Sequence, residues 1–295
     1  MIIDSHAHYA SRSFEQTLRY LGWNGDSYTM EEGDREQILE AMAAAGIGCS
    51  IEPGVDMASN EEILRLCAKY PGRIFPAIGV HPTRAIHTRW ADRKKLRQLT
   101  AADGVVAIGE TGLDYHYERK EQHRLKQYLW FFYQLGLARK RKKPVIYHVR
   151  DAHSDVLRIL KRHPARKLGG VIHCFTGTRQ DAESYVALGL HIGIGGAILQ
   201  QPERSESLWE AVKAIPLDRI LVETDAPFVL PYCKDVFKPK QVRRTRNTSL
   251  VLPAVIGKIA QLKGVSHEEV EIVTARNAIR LFGLPVEDLR NAKPE

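Results

Sequence analysis

The sequence predicts an α/β fold of the closed (β/α)8 TIM barrel class. Three observations predict it: eight short apolar runs, segments of helical period between them, and a side chain able to bind metal just after six of the eight runs. With 295 residues, 44% of them hydrophobic, the chain can bury a large core. An α/β barrel takes about 250 residues as one unit. We expect a single domain over residues 1–285 and a polar tail over 286–295.

In chain order the strands are expected at 2–5, 48–52, 74–80, 105–109, 144–147, 170–172, 190–194 and 219–222. Amphipathic helices are expected at 34–45, 60–70, 91–99, 119–139, 152–162, 179–188 and 206–214. Two closing helices follow at 249–262 and 267–282, the second opened by Ser266 and Glu269 in the spacing of a capping box. A doubly wound open sheet is the rival architecture. It lacks support, because the chain has neither G-x-G-x-x-G nor G-x-x-x-x-G-K-[ST], and Gly193-Ile194-Gly195-Gly196 reads as a strand end and turn. The polar stretch 9–33 is long for a connection from strand to helix, and reads as a lid or a small helical insertion.

Composition narrows the function classes. No apolar run approaches the roughly 20 residues of a membrane span, and no basic flank or apolar leader opens the chain. Cys49, Cys67, Cys174 and Cys233 form no C-x-x-C pair, so reduced thiols and a cytoplasmic location are expected. The net charge of +8 favours an anionic partner. The basic run 139–143 precedes the fifth strand, so it belongs to the bottom of the barrel, as solvated charge at a helix C-terminus. The loop 234–246 follows the eighth strand at the top. It carries Lys234, Lys238, Lys240, Arg243, Arg244 and Arg246 against one Asp235, with Tyr232 and Phe237 interleaved as candidate base-stacking rings.

Barrel chemistry sits at the C-terminal strand ends. There the sequence places His6 and His8 after strand one, His81 after three, Glu110 after four, His148 after five, His173 after six and Asp225 after eight. Singly, each has a plain structural reading: His81 as a turn residue before Pro82, His173 as a core histidine, Asp225 as a cap on Ala226-Pro227. Five imidazoles on four separate strand ends make coincidence a poor account. Four imidazoles and two carboxylates suit two divalent ions, with Glu110 as the bridge. Strand parity puts Glu223 inward, one layer below Asp225, and Asp4 beneath His6. Arg150 shares the face of His148, either to hold an anion or to pair with Asp151 or Asp155.

The runs DSHAH (4–8), IGVHP (78–82), GETGLDYHY (109–117), PVIYHVRDA (144–152), HCFTG (173–177) and LVETDAPFVLP (221–231) resemble those of the TatD family of metal-dependent deoxyribonucleases. They stand in family order and reach LFG (281–283), so the likeness spans nearly the whole chain. The resemblance implies that His6, His8, Glu110, His148, His173 and Asp225 ligate metal. It implies that His81, Asp114, Tyr115, Arg150 and Asn247 line the substrate cleft, with Arg246 beside them. The chain departs from the family in the extended 9–33 stretch and at Thr248-Ser249, where an acidic residue and proline are usual.

The expected function is hydrolysis of a DNA phosphodiester by a water activated between two divalent ions, in the manner of a 3′-5′ exonuclease. Asp225 would take the proton and Glu110 fix the spacing of the ions. Ligand softness favours zinc or manganese, and the resemblance implies that magnesium serves. Two other functions remain open: an amidohydrolase or esterase acting on a small molecule or aminoacyl-tRNA, and a metal-stabilised nucleic-acid-binding protein without turnover.

Overall fold

The computed structural model describes residues 1–117, 121–232 and 235–286. Strand β1 (Ile2–Asp4) leads through β2 (Leu18–Trp23) and β3 (Tyr28–Gly33) to β4 (Ile47–Pro53) and β5 (Ile74–Ile78). Then come β6 (Ala107–Asp114), β7 (Val145–Arg150), β8 (Gly170–Ile172), β9 (His191–Ile194), β10 (Ile220–Val222) and the short β11 (Thr245–Arg246). All except β2, β3 and β11 lie in one parallel sheet in the order β1-β4-β5-β6-β7-β8-β9-β10. The Ser5 N–H donates to Val222 O at 3.0 Å and the Asp225 N–H to His6 O at 2.9 Å, which joins the last strand to the first. The eight expected runs are these eight barrel strands, although β6 and β7 extend well beyond the sequence bounds.

The long helices are α1 (Arg35–Ala44), α2 (Met57–Lys69), α5 (Glu121–Arg141), α6 (His153–Arg162), α7 (Arg179–Ala187), α8 (Pro202–Ala214), α10 (Leu252–Lys263) and α11 (His267–Phe282). Shorter ones are α3 (Pro82–Ala85), α4 (Arg93–Leu99) and α9 (Pro239–Arg243). Reciprocal capping boxes start α1 (Asp34 with Gln37), α2 (Asp56 with Ser59) and α7 (Thr178 with Asp181). At α11 the Ser266 side chain accepts the Glu269 N–H, the Ser half of the expected box.

Two packing facts aim the site. Ile3, Ile51, Ala77, Ile146, Val171 and Leu221 form one buried cluster with Ala275, Ala278, Ile279 and Phe282 of α11, and the N-terminal ammonium pairs with Glu271 at 2.6 Å. Helix α11 therefore closes the barrel at the end where the strands begin. Side chains alternate along a strand, so residues two beyond Ile146 and Val171, namely His148 and His173, continue up the same interior face. Glu223 and Asp225 continue it above Leu221. Space is made for one of them: a Cβ on Gly193 would lie 2.3 Å from Glu223 Oε2.

The 9–33 stretch is neither a lid nor a helical insertion. After a single 3-10 turn, Arg12–Phe14, it forms the antiparallel hairpin β2–β3, and β11 adds to β2 in parallel, Thr245 opposite Arg19. This small sheet anchors the loop after β10, because Thr248 Oγ1 donates to Leu21 O at 2.8 Å.

A buried histidine outside the site sets one expectation for stability. His191, at the start of β9, is 8% exposed, and its Nδ1 has no hydrogen-bond partner among the described residues. Burial, with the Arg219 charge beside it, pushes its pKa down to about 4 from 6.5. The unfolded chain therefore takes up a proton below pH 6.5 that the native state refuses, and stability falls as pH drops from 6.5 towards 4. The loss should reach roughly 2 kcal/mol at pH 5 and about 3 kcal/mol at pH 4. Urea midpoints of the wild type and His191→Leu, taken at pH 7 and pH 5, should show the smaller pH loss in the variant. Equal losses in both proteins would remove His191 from the account.

Candidate metal centre

The chain continues from β1 with its backbone pinned. Asp4 accepts the His6 N–H and the Thr224 N–H at Oδ1, both at 3.1 Å, and hydroxyls of Thr224 and Ser249 at Oδ2, at 2.5 and 2.6 Å. Burial raises the Asp4 pKa to about 7 against the pull of those hydrogen bonds. Glu52 secures the next residues, accepting the N–H groups of Tyr9 at 2.8 Å and Ala10 at 2.9 Å. These two carboxylates hold His6 and His8 where the strand ends.

The candidate ligands converge in three overlapping groups: His6, Glu110 and His173; His6, His8 and Asp225; and His81, Glu110 and His148. Glu110 is central. Its Oε1 lies 2.6 Å from His173 Nε2, 2.7 Å from His148 Nδ1 and 3.3 Å from His81 Nε2, whereas its Oε2 faces His6 Nε2 at 3.4 Å. On the other side, His6 Nε2 and His8 Nε2 approach to 3.2 Å, and Asp225 Oδ1 lies 3.6 and 3.2 Å from them. The His6 and His173 rings stack, with centroids 3.9 Å apart.

Crowding shifts the titrations. Burial works to raise the Glu110 pKa, but the surrounding imidazoles outweigh it and hold the carboxyl well below its usual range. Burial likewise opposes charge on His173, yet Glu110 and Glu223 keep its pKa well above the ordinary value. His6 goes the other way, lowered by burial and by the neighbouring His173. Asp225 is lowered despite burial, chiefly by its hydrogen bond to His8.

This donor set fits divalent cations. Nitrogen and carboxylate lone pairs face one another at contacts where one proton can serve only one pair, and imidazole with carboxylate is a ligand set that zinc, manganese and related ions accept. Beneath it, Glu223 Oε1 lies 3.7 Å from His173 Nδ1 and accepts the Cys174 N–H, while Oε2 is buried with no hydrogen-bond partner among the described residues. Asp225 itself sits at φ +55°, a left-handed conformation unusual outside glycine, and is held there by the hydrogen bond to His6 O and by the Phe228 N–H on its own carbonyl at 2.8 Å.

A cavity of about 460 Å³ opens over the cluster, lined in part by His8, Glu110, His148, His173 and Asp225. Of the residues expected in the cleft, His81 and Asp114 line it. Each has a second role. His81 stands within reach of the ligand cluster, and Asp114 Oδ2 bonds His148 Nε2 at 3.0 Å, which turns the opposite ring nitrogen towards Glu110.

Other expectations are corrected. Asn247 is fully buried, and its amide holds the carbonyls of Thr224 and Val229 instead of facing the cleft. The Tyr115 hydroxyl donates to Asp155 at 2.7 Å and lies 2.8 Å from the Tyr128 hydroxyl, away from the cavity lining. Asp4 does stand against His6, but its carboxylate accepts the His6 backbone N–H and the hydroxyls of Thr224 and Ser249 instead of an imidazole N–H. Arg150 is exposed; its expected partner Asp155 binds Arg158, and its guanidinium lies 5.1 Å from the Tyr117 ring. Arg246 is exposed on β11, and Phe237 packs beside Leu21 and Val251, so neither joins the cavity lining. Lys234 and Cys233 lie outside the described residues, as does the tail from 287. The cavity adds Arg84, His87, Tyr117 and Phe228, to which sequence reading gave no role.

A parallel eight-stranded barrel with imidazoles and carboxylates gathered at its C-terminal mouth defines a metal-dependent hydrolase. Within that class, residues 3–283 match the model of the TatD-related DNase family, and the chain belongs to that family. It is 33% identical to the uncharacterized metal-dependent hydrolase YabD of Bacillus subtilis over 96% of this chain and 99% of that one. It is 37% identical to the 3′-5′ ssDNA/RNA exonuclease TatD of Erwinia tasmaniensis over 85% of this chain and 94% of that one. Among solved structures, the TatD homologue YjjV of Escherichia coli K12 superposes with a TM-score of 0.81 at 28% identity, covering 96% and 98% of the two chains. An organophosphorus hydrolase of Deinococcus radiodurans, at TM-score 0.61 and 15% identity over 96% and 93%, shares the fold.

Proposed function

We propose that this protein hydrolyses the phosphodiester bonds of single-stranded or frayed DNA from the 3′ end, with two divalent ions bound by His6, His8, Glu110, His148, His173 and Asp225. One observation carries the reading: the two oxygens of Glu110 face different groups of ligands, His81, His148 and His173 on one side and His6 on the other. Divalent ions held there would polarise the phosphoryl oxygens and make water a stronger acid.

The chain's own residues do the rest. Asp225 lines the cavity with its carboxyl held ionised, so it can accept the proton of the attacking water. Asp114 orients His148, and Asp4 fixes the His6 backbone, so both imidazoles would meet an incoming ion without rearrangement. Arg84 and His87 flank the cavity as donors to phosphate oxygens, and the Arg150 guanidinium lies against Tyr117, which lines it. Relatives named as 3′-5′ ssDNA/RNA exonucleases support the choice of substrate.

The test is to strip the protein with chelator and return zinc, manganese or magnesium singly. Each form is assayed on single-stranded DNA, duplex DNA, tRNA, a simple phosphodiester and a lactone. We expect single-stranded DNA to be preferred. With roughly three or four phosphates held by cationic groups, KM should rise about 20- to 50-fold between 50 and 200 mM salt. Turnover of the lactone with no salt dependence, and none of DNA, would instead establish a small-molecule hydrolase.

A further inference from the structure

Two large aromatic side chains remain exposed at the mouth. Phe228 is 57% and Tyr117 65% exposed, and both line the cavity above the candidate ligands. Tyr117 follows the fourth strand of the barrel and Phe228 the eighth. In a ring of eight, those positions lie opposite each other, with the cluster between. Neither ring is on a loose tether. The Phe228 N–H donates to Asp225 O at 2.8 Å, and the Tyr117 N–H to Asp114 Oδ1 at 2.9 Å. Each aromatic is thus set by a backbone hydrogen bond to a residue of the site. The Phe228 ring meets the His8 imidazole edge-on, with centroids 5.9 Å apart. The Arg150 guanidinium lies 5.1 Å from the Tyr117 ring.

We propose that Phe228 and Tyr117 are the stacking platforms for the nucleobases on either side of the scissile phosphate, an assignment that rests on the nuclease reading above. A strand laid across the mouth puts a phosphate over the ligand cluster and a base within reach of each ring. Stacking on an aromatic face accepts any base, so the platform selects unpaired bases rather than a sequence. A duplex keeps its bases stacked on one another and offers neither ring a partner. Strand selectivity then comes from two uncharged rings, and phosphate affinity from cations elsewhere on the rim.

The experiment measures kcat and KM on single-stranded oligonucleotides for metal-loaded wild type, Phe228→Ala, Tyr117→Ala and Phe228→Tyr. Each protein also meets an oligonucleotide with an abasic residue beside the cleaved bond. Loss of one stacked base should raise KM about 10- to 100-fold with little change in kcat. The salt dependence of KM should stay as in the wild type, because no charge is removed. Phe228→Tyr should restore wild-type KM. The abasic oligonucleotide should cost the wild type the same factor and cost the matching alanine variant nothing further, a comparison that needs no variant to test the wild-type preference. Alanine variants with wild-type KM, or variants that still discriminate against the abasic oligonucleotide as the wild type does, would overturn the assignment alone. A wild type that cleaves no oligonucleotide with any metal would overturn the nuclease reading and this assignment with it.

Discussion

Asp225→Asn should lower kcat on single-stranded DNA by about 10³- to 10⁴-fold, with thermal melting of the chelated variant close to that of the chelated wild type. The amide matches the carboxylate in size but neither accepts the proton of water at neutral pH nor carries charge to a cation. Asparagine is also the replacement that the backbone tolerates. At φ +55°, Asn is among the few residues that enter the left-handed region readily, whereas Ala there would add strain to the loss of the carboxylate. The hydrogen bonds that hold this turn run through backbone atoms, from Asp225 N–H to His6 O and from Phe228 N–H to Asp225 O, and both survive the substitution. Stopped assays with matched circular dichroism give the comparison. Wild-type turnover in Asp225→Asn, at matched purity, would remove Asp225 from the chemistry.

Why the barrel and the ligand cluster were legible, while much of the rim was not, follows from what each depends on. Barrel strands carry a local signature, short apolar runs bounded by turns, and a ligand two residues beyond a buried strand residue inherits its direction from the period of two. Val171 fixes His173 in this way, and Leu221 fixes Glu223 and Asp225. Asp4 broke the rule because β1 ends at Asp4, so the period of two does not carry on to His6. Roles set by distant partners left no local trace. The bond from Asp114 to His148 spans two strands, and Asn247 turns inward because the carbonyls of Thr224 and Val229 need a donor. The hairpin β2–β3 did have a signal, Asn24-Gly25 between two runs with strand character, and Asn24 Oδ1 accepts the N–H groups of Asp26 and Ser27 in that turn. Reading 9–33 as one polar connection hid it. His81 shows the limit of assigning one role per residue: it caps α3 through Nδ1, accepting the Thr83 N–H at 3.2 Å, while Nε2 faces His148 at 3.0 Å.

Chelation should abolish turnover and lower the melting temperature, and both should return with added divalent ion. The physical ground is the crowding about Glu110, where three imidazoles lie within 3.3 Å of one carboxylate oxygen and a fourth faces the other oxygen at 3.4 Å. Without ions, that cluster confines charge in a buried space and must share protons among groups whose lone pairs converge. Divalent ions held there would replace those shared protons with bonds to the lone pairs that now face one another. Binding to the native state alone stabilises it by about 2.7 kcal/mol per site at a hundred times the dissociation constant, which is roughly 5–10 °C in the melting temperature. Acid should weaken the effect, since imidazole must be neutral to ligate and protons compete for the same lone pairs. Differential scanning calorimetry of the chelated protein against a metal titration reads the stability directly, apart from any assay of substrate. A melting temperature indifferent to every divalent ion tried, in a protein fully active after chelation, would mean that these residues gather for some purpose other than holding metal.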